Sequence, residues 1–165
     1  MREENQEPRT KNQGYSYRNL VLWVKAQELA LNVIRRVAKL PIDPDARIMT
    51  HQIIRSVTSI GANIAEGHGR YALPAHRNYL SIAKASACET DSWLDLLRRA
   101  GYLRADEEKH LHEACGELIR MLTSKILQME RLEGAMKRTA VVREPKALYS
   151  SDDYLDADPV LGSGF

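Results

Sequence analysis

The sequence predicts an all-α fold, an antiparallel up-and-down four-helix bundle. Three observations predict it. Four segments carry apolar residues at helical spacing, breaks containing proline or glycine separate them, and no window of four to eight residues alternates convincingly. Segments of about twenty to twenty-seven residues joined by short loops favour antiparallel neighbours.

The first helix is expected from about Leu20 to Lys39, with Leu20, Trp23, Val24, Leu31, Ile34 and Val37 as its apolar stripe and Gln27 interrupting. Pro41 closes it, because a proline disfavours helical geometry in the residue before it. The second opens with Asp43 as N-cap and Pro44 at the first helical position. Met49, Ile53, Val57, Ile60 and Ile64 then recur every three or four residues, and Gly67 is the expected stop. A third helix from Pro74 carries Tyr79, Leu80, Ala83, Ala87, Leu94 and Leu97, up to Gly101. For the fourth, Asp106 is the candidate cap, and Leu111, Ala114, Leu118, Leu122, Ile126 and Met129 mark its buried face as far as about Glu133.

The second helix is short of charge. Between its ends only Arg55 is ionised, and Thr50, Ser56, Thr58, Ser59, Gly61, Ala62 and Asn63 are small or neutral. A helix with one face in water normally shows a charged stripe there. Cover on more than one side is therefore expected, from a central position in the monomer or from a subunit interface, the latter favoured because a four-helix bundle has no central helix.

A chain of 165 residues is long enough for one ordinary domain without staples. Apolar residues make up 44% and charged residues 28%, a globular composition. With 24 basic and 22 acidic residues the net charge is +2, which excludes a histone-like basic coat but leaves local patches open. No apolar stretch is long enough for a membrane span, and residues 1–19 lack a secretory pattern, so a cytoplasmic protein is expected. Residues 1–17 and 134–165 are expected as flexible tails around a bundle at 18–133. In the second tail Lys137, Arg138, Arg143 and Lys146 precede Asp152, Asp153, Asp156 and Asp158. Leu148, Tyr149, Tyr154, Leu155 and Phe165 give it the option of ordering on a partner. Cys88 and Cys115 read as buried, reduced thiols near core-facing registers.

Catalytic chemistry finds little footing. One Glu-x-x-His pair exists, Glu107 and His110, where a di-metal bundle needs two, so no metal and no other cofactor are expected. There is neither a serine elbow nor a glycine-rich phosphate loop after a strand. The cluster that stands out is Asn63 to Arg70, NIAEGHGR. Glu66 at a helix C-terminus opposes the dipole and calls for a cationic partner, with Arg70 nearest and Glu89 a competitor for the same guanidinium. Two readings stay open: a clamp that holds the turn, or a phosphate-binding surface of Arg70 with His68, His76 and Arg77. Arg36 and Lys39 near the end of the first helix, and Arg77 and Lys84 seven apart on the third, extend the basic candidates. A ring of about five copies would repeat such a weak patch and multiply its field.

NLVLWVKAQELA (19–30), RSVTSIGANIAEGHGR (55–70), YLSIAKASACET (79–90) and RRAGYL (98–103) together resemble the bacterial four-helix-bundle family whose founding members are encoded by intervening sequences in large-subunit ribosomal RNA genes. Asn63, Glu66, Gly67, Arg70 and Glu89 occupy the characteristic positions. The family's fold is also similar to that of the accessory variability determinant of diversity-generating retroelements, a homopentameric ring. The resemblance implies a non-enzymatic, ring-forming subunit that binds RNA or RNA/DNA and a reverse transcriptase. Phosphate contacts would then come from Arg70, Arg77 and Lys84, with Lys39 and Arg36 behind them. The alternative is a protein-binding scaffold, or a stand-alone bundle, with no nucleic-acid role.

Overall fold

The computed structural model describes residues 16–143. Among the described residues are four long helices and no strand: α1 (Val21–Val37), α2 (Pro44–His68), α3 (Leu73–Arg99) and α4 (Ala105–Arg143). One 3-10 turn, Tyr17–Asn19, leads into α1. Each helix packs on the next and α4 returns to α1, with connections of four to six residues. That closed ring of neighbours is the up-and-down arrangement expected. No described helix is long and apolar enough to cross a membrane.

The helix ends follow local chemistry. Asp43 accepts a hydrogen bond from the Ala46 amide at 2.8 Å, with Pro44 opening α2. That bond, reinforced by the Tyr102 hydroxyl donating at 2.9 Å, holds the Asp43 carboxyl below its usual range. Gly101 terminates α3 at φ 81°, a left-handed conformation that glycine adopts without a steric penalty. At the start of α4 the cap differs from expectation. Glu107, rather than Asp106, reaches back to the Arg104 amide at 3.2 Å, as one half of a capping box, and Asp106 pairs with the Arg104 side chain.

The core face of α1 matches the expected stripe only in part: Val37 is buried and Leu20 and Trp23 pack against the core, but the middle of the stripe turns outward. Ala26, Leu29, Ala30, Val33 and Val37 are buried, whereas Val24, Leu31 and Ile34 are exposed at 38%, 50% and 37%. Small alanines on the inner face bring α1 close to its neighbours. Gln27 belongs to this contact, because a side chain on Gly61 of α2 would run into the Gln27 amide.

Two further expectations are corrected. The fourth helix passes Gly134 and continues to Arg143. A single interior glycine costs only about 1 kcal/mol, and the residues after it, AMKRTA, favour helix. The folded part also begins earlier, since Ser16 caps the first turn and the Tyr17 ring packs edge-on against Trp23 at 5.3 Å. The rest of the two tails, with Leu148, Tyr149, Tyr154, Leu155 and Phe165, lies outside the described residues.

Cys115 is fully buried and donates to the Ala87 carbonyl at 3.1 Å; burial first, then Asp91, pushes its thiol up to about 12. Cys88 is exposed, contrary to the core-facing assignment, because it follows the buried Ala87 by one step of the helix. A thiol reagent at pH 8 is therefore expected to leave Cys115 unmodified in the native protein and to reach it only in denaturant. Two thiols reacting at equal rates in the native state would contradict this packing.

Candidate nucleic-acid interface

The small and neutral polar residues of α2 form one polar seam with α3. Asn63 donates to the Ser59 hydroxyl at 2.9 Å, Ser59 and Ser86 hydroxyls lie 3.0 Å apart, and Ser86 donates to the Ile82 carbonyl. The two hydroxyl protons then point one way along a chain of bonds. Deeper in the seam, buried Thr90 donates to buried Ser56 at 3.0 Å. Small side chains satisfy one another here, which explains why α2 carries almost no charge on this side. Buried hydroxyls without such partners would each cost about 1–3 kcal/mol.

The NIAEGHGR cluster forms the end of that seam. Arg70 donates to Glu66 at 2.5 Å and to the Tyr79 hydroxyl at 2.8 Å, with its guanidinium 4.8 Å from the centre of the Tyr79 ring. Hydrogen bonds from Tyr79, then from Arg70, hold the Glu66 carboxyl below its usual range. Glu89 does not compete for Arg70. It faces Arg55 at 3.6 Å, further along α3. Gly67 does not stop α2 either, since the helix continues to His68 with Gly69 as its cap. Its role is close approach: a Cβ there would lie 3.0 Å from the Tyr79 Cβ and 3.3 Å from the His76 carbonyl oxygen. The clamp geometry is thus built, with Tyr79 as a member that sequence spacing did not single out.

The five basic candidates fall in separate places. Arg70 sits on the α2–α3 side. Arg77 faces α4, paired with Glu130 at 3.1 Å and Glu133 at 3.2 Å, and Lys84 lies two turns along the same face of α3. Arg36 and Lys39 are at the other end of the bundle, where Arg36 bonds Glu107 at 2.7 Å and the Tyr102 carbonyl at 3.1 Å. That pairing, with Arg36 the leading cause, lowers the Glu107 carboxyl. His68 and His76 do not join Arg70 and Arg77 in one patch; they line a cavity whose walls include neither arginine. Of the five, Lys39 and Lys84 have no acidic partner among the described residues.

The structure adds cations that the tail assignment had set apart. Helical residues 134–143 contain Lys137, Arg138 and Arg143 and no acid, and Arg131, Lys137 and Arg138 are exposed. Near-balance over the whole chain also conceals a segregation. Residues 16–143 hold twenty bases and fourteen acids, whereas residues 144–165 hold one base and five acids. The signal was present in the sequence, but it required knowing where the helical part ends. Among the described residues no group of three or more His, Cys, Asp or Glu side chains is gathered as a metal would need.

Fold and surface together define an all-helical bundle with a basic folded part and an acidic C-terminal segment. The chain belongs to the family of 23S rRNA-intervening sequence proteins, whose family model matches residues 18–124. It is similar to a solved protein of unknown function from Bacteroides thetaiotaomicron VPI-5482, assigned to the S23 ribosomal protein family. The two share 33% identity with a TM-score of 0.61, over 64% of this chain and 98% of that one. Comparison with curated proteins gave no match.

Proposed function

We propose that this chain is a non-enzymatic, oligomeric RNA-binding protein acting in the cytoplasm as an accessory subunit. The observation that carries the proposal is the segregation of charge: a folded part with a net charge of +6 and a tail of −4. Phosphate contacts supply most of the affinity of a basic surface for nucleic acid. Lys84, Lys39, Lys137 and Arg138 can make them without first giving up an ion pair to another described residue, whereas Arg36, Arg70 and Arg77 must share theirs. The family's association with 23S rRNA intervening sequences favours RNA as the polymer. In its finer form the proposal carries a homopentameric ring and a reverse transcriptase of a diversity-generating retroelement as partner, and both rest on resemblance.

Self-assembly has support of its own. The exposed positions of α3 from Asn78 to Ser92 are Asn78, Ser81, Ile82, Ala85, Cys88 and Ser92, all uncharged, and on α2 Thr58 and Ala62 adjoin them. A surface of small and apolar residues, with the Arg55–Glu89 pair as its one ionic contact among the described residues, suits contact with another copy. Replacing Ile82, which is 41% exposed, by Glu is expected to reduce the assembly to monomers while the helical circular dichroism stays unchanged. An unchanged oligomer with Ile82→Glu would remove this face from the assembly, and a wild-type monomer would remove the ring. A scaffold that binds only proteins has no observation of its own in its favour.

A further inference from the structure

Among the described residues, one end of the bundle is not closed by packing. A cavity of about 620 Å³ opens there, within the size range of small-molecule sites. Its walls are mostly apolar, from Leu20 and Leu22 of α1, Ile64 of α2, Leu80 of α3 and Met121 of α4. Polar groups converge on it from three helices: His68 from α2, His76 from α3, and Lys125 with Gln128 and Ser124 from α4. No acidic side chain among the described residues lines it.

Helix ends add to the same polarity. Both α1 and α3 begin at this end, neither has a side-chain cap at its N-terminus, and neither has an acid in its first turn. Helix N-termini carry partial positive charge that favours anions. The C-terminus of α2, which would offset them, has its last carbonyls engaged by the Gly69 amide. His76 responds to these surroundings: burial, then His68 and Lys125, keeps its imidazole below the usual range. Nitrogen-bearing side chains from three helices thus surround an apolar hollow, and as hydrogen-bond donors they suit an anion rather than a cation.

We infer that this cavity binds a small amphipathic organic anion, with the apolar chain against Leu22, Leu80 and Met121 and the carboxylate between Lys125, His76 and His68. Neither half of such a ligand suffices. An inorganic anion leaves the apolar walls unfilled, and an apolar cation meets the charges with the wrong sign. None of Arg36, Lys39, Arg70, Arg77 and Lys84 lines the cavity, so its occupant would not use the cations proposed for RNA.

The test uses the full chain with octanoate, trimethyloctylammonium and inorganic phosphate as probes, followed by calorimetry and by the NMR signals of the Met121 methyl and the His76 ring. Octanoate is expected to saturate one site per chain, to move both signals, and to bind about tenfold or more tightly than the cation of equal chain length. Lys125→Glu is expected to reduce octanoate affinity by about tenfold, and Gln128→Trp to block the mouth. Both side chains are exposed, so the helical content of each variant should equal that of the wild type. Equal affinity for octanoate and trimethyloctylammonium would overturn the proposal. So would the absence of saturable shifts at Met121 and His76, or octanoate binding that survives both substitutions.

Discussion

Gly67→Ala is expected to destabilise the protein by about 1–3 kcal/mol, although alanine is the better helix former. The added methyl would lie 3.0 Å from the Tyr79 Cβ and 3.3 Å from the His76 carbonyl oxygen, and neither atom can move without displacing the backbone of α3. Gly61→Ala supplies the contrast on the same helix. There the methyl meets the end of the Gln27 side chain, which can rotate aside, and the gain of roughly 1 kcal/mol in helix propensity offsets the adjustment. Gly61→Ala should therefore remain within about 1 kcal/mol of the wild type. Denaturant unfolding of the two variants measures the difference directly. Equal stabilities would mean that α2 and α3 are not held together at Gly67 as described. Because the Glu66–Arg70–Tyr79 cluster is seated on that crossing, Gly67→Ala should also loosen it, with faster proteolysis in the turn at Gly69–Ala72.

The second large effect is expected at the far end of α4. The double substitution Lys137→Glu and Arg138→Glu should lower RNA affinity by about tenfold to a hundredfold at moderate salt and reduce the salt dependence by about one to two units of slope. Both side chains are exposed and lie beyond Met129, the last buried position of α4 among residues 105–139, so the melting temperature should not change. Lys84→Glu should act in the same direction with a smaller effect, from a half-buried position on α3. Arg70→Ala separates contact from clamp. It removes the partner of Glu66 and Tyr79, so its first effect should be on stability, and any loss of RNA binding should follow that. If charge reversal at 137 and 138 leaves RNA affinity untouched, the basic end of α4 is not part of the interface.

Helix number and order, the Asp43 cap and the Gly101 terminator were all legible in the sequence, because each depends on residues within one or two turns. The inner face of α1 was legible only at its ends, at Leu20, Trp23 and Val37. Large apolar residues outweighed Ala26 and Ala30 in the reading, yet a close helix approach buries alanine and leaves Leu31 half exposed. Gly67 illustrates the same difficulty. A glycine near a helix end suggests a stop, and only the neighbour across the crossing shows that close approach is its role. Similarly, no spacing rule pairs Arg77 with Glu130 and Glu133, or Arg36 with Glu107, because those partners are more than fifty residues away. The candidate cations were thus recognisable as residues, but not which of them are already engaged.

Light scattering coupled to size exclusion, on the full chain with and without a structured RNA at low and at high salt, addresses the central claim most directly. The expected result is an oligomer, near five copies in the finer form, that gains RNA mass at low salt and releases it as salt rises, because each neutralised phosphate returns a counterion. A monomer whose mass is the same with and without RNA at either salt would contradict it.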